Sequence, residues 1–95
     1  MIQFSDAKDP DDIDDFTLDW SAVLATGETI TACALAVVTG GVTVPDPAQA
    51  TISGSRTTAR VSGGSDQSTA EVRYRITTSA GRQLDETARI IIRSR

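Results

Sequence analysis

Ninety-five residues make one domain, with roughly 60–65% of the unfolded surface buried on folding and a single modest core. Apolar residues are 39% of the chain, mostly Ala and Val against two Phe, one Tyr and one Trp, which suits a thin two-layer core and excludes a membrane-spanning run of about 18 apolar residues. The net charge of −4 is split: residues 1–55 carry −8, with Lys8 the only basic residue, and residues 56–95 carry +4, with every basic residue an arginine.

In chain order, residues 1–15 are an acidic lead-in: Asp6, Asp9, Asp11, Asp12, Asp14 and Asp15 surround Pro10. Mutual repulsion and the proline predict an extended arm rather than a helix, with the domain proper at residues 16–95. Phe16, Leu18 and Trp20 alternate with Thr17 and Asp19 and predict a first strand. Ala25-Thr26-Gly27 reads as a turn. Glu28 to Val38 is a second strand with Ile30, Ala32, Ala34, Ala36 and Val38 on one parity, Leu35 and Val37 on the other. Its alanines also allow a helix; Thr29, Thr31, Thr39 and Gly40-Gly41 favour the strand.

Val42 to Val44 is a short strand stopped by Pro45 and Pro47, hence at an edge or in a loop. Gln49 to Ser53 and Arg56 to Ser62 are two more, separated by Gly54-Ser55, and Ser62 to Asp66 forms a loop. The pattern is clearest at the end. Val72, Tyr74 and Ile76 alternate with Arg73, Arg75 and Thr77. After Ser79-Ala80-Gly81-Arg82, Leu84, Ala88, Ile90 and Ile92 alternate with Asp85, Thr87, Arg89 and Arg93. This predicts an antiparallel hairpin with one buried and one solvated face. About seven short strands with a turn every 8–12 residues predict an immunoglobulin-like antiparallel β-sandwich.

The chemistry-bearing residues point away from catalysis. Without histidine, the commonest general base and both the Ser-His-Asp and Cys-His arrangements are missing. Cys33, between Ala32 and Ala34 with no basic neighbour, reads as a structural thiol that cannot form an internal disulfide. Gly40-Gly41 and Gly63-Gly64 are not followed by the Lys of a phosphate loop. Asp9, Asp11, Asp12 and Asp14 supply calcium-type oxygens, but Ile13 takes a ligand position and no closing Glu follows. No cofactor or small-molecule substrate is expected. A signal peptide's basic and apolar regions are not seen at the start, so synthesis in the cytoplasm is the simplest reading.

Arg56, Arg60, Arg73, Arg75, Arg89 and Arg93 are expected on one solvated sheet face. Nucleic-acid binding normally wants net positive charge and stacking aromatics; this chain is acidic overall, and none of its few aromatics falls within the stripe. Arginine is instead the favoured cation of protein interfaces. The expected partner-binding residues are therefore Asp9, Asp11, Asp12, Asp14 and Asp15 on the arm, and Arg73, Arg75, Arg89, Ile91 and Arg93 on the hairpin. Ile91 enters because it stands on the parity of the arginines. Trp20 and Tyr74 read as core aromatics, and Tyr74 resembles the corner tyrosine of immunoglobulin-like domains, whose hydroxyl bonds backbone.

The segments Lys8 to Asp12, Leu18-Asp19-Trp20-Ser21, Gly27-Glu28-Thr29-Ile30, Val61-Ser62-Gly63-Gly64 and Tyr74 to Asp85 resemble the small immunoglobulin-like structural proteins of tailed bacteriophages and prophages, of the fiber-tail adaptor type. The most specific part is Ile76-Thr77-Thr78 followed by Gly81-Arg82. The chain departs from such relatives where a second-strand Trp is common and Cys33-Ala34-Leu35-Ala36 stands here. The resemblance implies a non-enzymatic virion protein, in several copies at the tail or neck, that joins tail parts to fibres by docking onto other virion proteins. Competing roles are a capsid decoration or head-completion protein, and a calcium- or carbohydrate-binding β-sandwich module.

Overall fold

The computed structural model describes residues 2–4, 7–45 and 47–94; Asp6 of the acidic lead-in lies outside them. Among the described residues there is no helix. The strands are β1 (Ile2–Gln3), β2 (Ile13–Asp19), β3 (Ile30–Thr39), β4 (Val42–Thr43), β5 (Thr51–Ser53), β6 (Arg56–Gly63), β7 (Ser68–Thr78) and β8 (Gln83–Ile92). One sheet runs β1-β8-β7-β3, the other β2-β6-β4, with β5 also on β6. The two pack as a sandwich over a core that includes Phe16, Leu18, Trp20, Leu35, Val61, Val72, Ile76 and Ile90.

The hairpin β7–β8 is the backbone of the first sheet. Its register runs from Ser68↔Ile92 to Thr77↔Gln83, so Ala70, Val72, Tyr74 and Ile76 share the buried face with Ala88, Ile90 and Ile92. At its turn, Thr78 N donates to Arg82 O at 2.9 Å and Gly81 N to Thr78 O at 3.0 Å. Gly81 sits at φ +81°, where an L side chain is strained. Tyr74 is fully buried, and its hydroxyl donates to Phe16 O at 2.8 Å. That bond crosses to the opposite sheet instead of closing a local corner.

Three features differ from the sequence reading. The strand count is eight, because the lead-in contributes β1, which pairs parallel to β8. The strand pattern of Glu28–Val38 breaks: a register shift between Ile30 and Ala32 puts Ile30, Cys33 and Leu35 inside and leaves Ala32 and Ala34 exposed. A bulge adds one residue and so flips the parity that simple alternation assigns. Arg56 and Arg60 lie on β6, in the other sheet from Arg73, Arg75, Arg89 and Arg93, so the six do not share a face.

The lead-in enters the sandwich at three places. Ile2 and Gln3 lie beside Ala88 and Arg89, with Phe4 N donating to Arg89 O at 3.0 Å. Phe4 also meets Phe16 edge-on at 4.9 Å between ring centroids. Lys8 bridges Ile92: its N donates to Ile91 O at 2.8 Å and its O accepts from Arg93 N at 2.9 Å. The Lys8 side chain is 1% exposed, and its Nζ donates to Asp9 O and Gly63 O, both at 2.8 Å. Residues 13–15 already belong to β2, paired with Ser62 to Arg60. The open edge of β8 is thereby covered from Ala88 onward, which shields that half from pairing with another chain.

Candidate docking surfaces

The outer face of the β1-β8-β7-β3 sheet brings together Arg73, Arg75, Arg89 and Ile91, with Arg93 just beyond the end of β8. Alternation puts them there: their strand neighbours Val72, Tyr74, Ile90 and Ile92 are held in the core. The arginines differ in how far they are satisfied. Arg75 stands opposite Asp85, donating through Nε and Nη2 to Asp85 Oδ1 and Oδ2 at 2.7 and 3.0 Å. Those bonds, with Arg73 nearby, hold the Asp85 carboxyl below its usual range. Arg89 stands opposite Glu71 with a single long contact, Nη2 to Oε2 at 3.4 Å. Its Nε is buried without an acceptor among the described residues.

Arg73 is opposite Thr87 and diagonal to Arg89. Among the described residues, neither the Arg73 nor the Arg93 guanidinium has a hydrogen bond or ion pair. Ile91, half-buried, lies opposite Thr69. Beside the arginines, Ala34 and Ala36 of β3 leave a shallow hollow of about 60 Å³ walled by Arg73 and Arg75. The face therefore carries more guanidinium than its own carboxylates use.

The other sheet's outer face is balanced. Arg60 donates to both oxygens of Asp15 at 2.9 and 3.3 Å, and Arg56 lies 3.7 Å from Asp19. The register Asp15↔Arg60 and Asp19↔Arg56 sets these opposite charges directly across from each other. The hydrogen bond from Arg60 lowers the pKa of Asp15, and the Ser21 backbone N–H lowers that of Asp19.

The lead-in acids fall in two groups. Asp9 organises a turn: its O accepts from Asp12 N at 3.0 Å and its Oδ1 from Asp11 N at 2.8 Å. Since Lys8 pairs with Ile92, this turn sits at the end of the molecule where Arg93 emerges. Asp14 and Asp15 lie on β2, where Asp14 Oδ1 accepts from Asp15 N at 2.8 Å. Asp15 is thus already paired within the chain. No group of three or more His, Cys, Asp or Glu among the described residues is placed to hold a metal ion.

Two arrangements escape the sequence reading. Glu28, whose side chain is 3% exposed, accepts from Thr78 Oγ1, Ala25 N and both Nε and Nη2 of Arg82. These bonds, chiefly those from Arg82, hold its carboxyl at a pKa of about 2. Arg82 also donates to Val23 O at 2.9 Å, so the hairpin turn is tied to the β2–β3 connection. The other is the buried Lys8, whose only sequence signal is that it is the sole lysine in a chain of arginines.

No curated protein and no solved structure matches the chain. A family model does: podophage GP4 fiber-tail adaptor protein gp77, over residues 8–91. The match begins at the buried Lys8 and ends at Ile91 on the arginine face, taking in all of β2 to β7 and most of β8. The chain belongs to the podophage GP4 fiber-tail adaptor (gp77) family, a family of structural proteins of the phage tail.

Proposed function

We propose that this protein is a non-enzymatic adaptor of the virion tail that joins tail parts to fibres by docking the outer face of the β1-β8-β7-β3 sheet onto an acidic surface of a neighbouring virion protein. The observation that carries this reading is the contrast between the two faces. Among the described residues, one matches Arg56 and Arg60 with carboxylates in register; the other leaves the Arg73 and Arg93 guanidiniums without an ion pair and Arg89 loosely held. Unsatisfied guanidinium donors gain most from a partner's carboxylates, and Ile91 supplies apolar contact beside them. Charge of this kind sets register and encounter rate, while apolar contact supplies affinity. Asp9, Asp11, Asp12 and Asp14, at the lead-in turn and the start of β2, offer a second patch of opposite sign to another neighbour, and several copies act around the tail.

The absence of catalysis is supported by the state of the one thiol: Cys33 is 3% exposed and burial pushes its pKa up, away from a reactive thiolate. The test is incorporation into particles. Arg73→Glu with Arg93→Glu changes two exposed side chains that have no hydrogen bond or ion pair among the described residues, so the thermal midpoint should move little. Quantitative mass spectrometry of purified particles should show the variant's copy number down by about tenfold or more. Wild-type incorporation would refute this face as the docking surface.

A further inference from the structure

The most exposed large apolar side chain among the described residues is Ile13, at 70%. It stands on β2 opposite Ser62. Phe16 and Leu18 turn inward, so alternation puts Ile13 on the outer face of the β2-β6-β4 sheet. Asp11 lies two residues before it and Asp14 one after, both exposed. Among the described residues, the Asp11 carboxylate has no hydrogen bond or ion pair, and Asp14 accepts the Asp15 N–H through Oδ1 and has no other partner. Asp9 and Asp12 have partners within the chain, and Asp15 is held by Arg60. Asp11 and Asp14 are therefore the lead-in carboxylates left to offer, with an isoleucine in water between them.

The β1-β8-β7-β3 sheet carries the same arrangement with the opposite sign. Arg89, Ile91 and Arg93 alternate along β8 and just past its end, on the outer face. Arg93 has no ion pair among the described residues; Arg89 has one long contact, to Glu71, and a buried Nε without an acceptor. Ile91 is half-buried between them. The two patches belong to the outer faces of opposite sheets and so point away from each other. A two-fold contact cannot bring both into one interface, whereas a head-to-tail contact joins the one patch of each copy to the other patch of the next. Both lie at the same end of the sandwich, because Lys8 bridges Ile92 and the Asp9–Asp12 turn leads from it into Ile13.

We propose that the acidic neighbour of the Arg89–Arg93 end of the arginine face is a second copy of this chain, docked head to tail. Ile13 of one copy packs on Ile91 of the next, with Asp11 and Asp14 reaching Arg93 and Arg89. This rests on the arginine-face reading and deepens it; Arg73, farther along the sheet, is left for a different tail protein. The Asp–Arg contacts set the register, and like charges reject the pairings of Arg on Arg and Asp on Asp. The contact is small, so it is weak between free copies and stronger where the tail holds copies side by side.

The experiment is sedimentation equilibrium of the purified full chain from about 20 μM to about 1 mM. At low salt the mean mass should rise with concentration past that of a dimer, and association should weaken in about 0.5 M salt. Asp11→Arg and Arg93→Glu should each weaken association about tenfold or more. The double variant, whose reversed charges meet again across the contact, should recover it. Ile13→Ser, at an exposed position, should weaken association with the thermal midpoint little changed. A chain that stays monomeric at about 1 mM overturns the proposal, as does association that stops at the dimer, or a double variant that associates no better than its worse single. The wild-type series decides even where a variant fails to fold. A monomeric result leaves the arginine-face reading standing, with incorporation into particles as its own test and another protein as the acidic neighbour.

Discussion

Gly40 and Gly41 are neighbours in the β3–β4 turn, both at positive φ, yet alanine should have very different effects at the two positions. At Gly40 (φ +97°) an added Cβ would lie 2.4 Å from Ala70 Cα and 2.5 Å from Ala70 Cβ. Ala70 is fully buried in β7, so neither atom can swing aside. Strained backbone costs roughly 1–3 kcal/mol, and overpacking against a fixed core adds about 1–3 more, giving about 2–6 kcal/mol for Gly40→Ala. At Gly41 (φ +68°) the nearest atom to a new Cβ is Ser65 Oγ at 4.0 Å. Only the left-handed penalty of about 1 kcal/mol remains. A domain of 95 residues is stable by roughly 5–14 kcal/mol, and each kcal/mol moves its thermal midpoint by about 4–8 °C. Thermal and urea unfolding should therefore place Gly40→Ala at least about 8 °C below wild type, and at least about twice as far below it as Gly41→Ala, whose loss is about 4–8 °C. Equal losses would refute the argument that contact with Ala70 seats this turn.

The Glu28 carboxyl is held at about 2 from an ordinary 4.5. Because the folded value lies below the unfolded one, its contribution is full above about pH 4.5 and fades as pH falls towards 2. Thermal midpoints between pH 2 and 7 should drop on the acid side with a shallower slope in Glu28→Gln, and an unchanged slope would show that the Arg82 network does not couple to folding. Trp20 Nε1 donates to Thr57 Oγ1 at 2.9 Å, both residues being buried. Thr57→Val keeps the shape but orphans the indole N–H, so it should cost about 1–3 kcal/mol in urea unfolding; Thr57→Ser should recover most of it, and equal losses would put the effect down to packing.

Strands whose alternation is both strict and long were legible in the sequence. Arg56 to Ser62 differs from β6 by one residue, and the hairpin register follows directly from the alternation around Ser79 to Arg82. What alternation does not carry is partnership. Arg60 and Arg73 have the same local pattern, and only the assembled topology shows that they belong to different sheets. The bulge after Ile30 depends on how β3 meets β7, which local sequence does not state. β1 escaped because two residues have no period, and Lys8 because an acidic neighbourhood reads as solvated although its ammonium has carbonyl partners inside. Of the candidate site, the arginine and Ile91 positions followed from parity. Which guanidiniums are free did not, since that depends on cross-strand neighbours such as Asp85 and Glu71.

The clasp of Lys8 between Ile91 and Arg93 joins nearly opposite ends of the chain. Contacts of such sequence separation carry the largest loop-closure cost and form late, and β-rich topologies fold slowly for this reason. Until Ile2, Gln3 and Lys8 dock, the second half of β8, with Ala88, Ile90 and Ile92 on its buried face, presents a bare edge. That edge is the surface through which half-folded chains would pair with one another. The Lys8 clasp thus also closes off part of an edge through which chains would otherwise pair with one another.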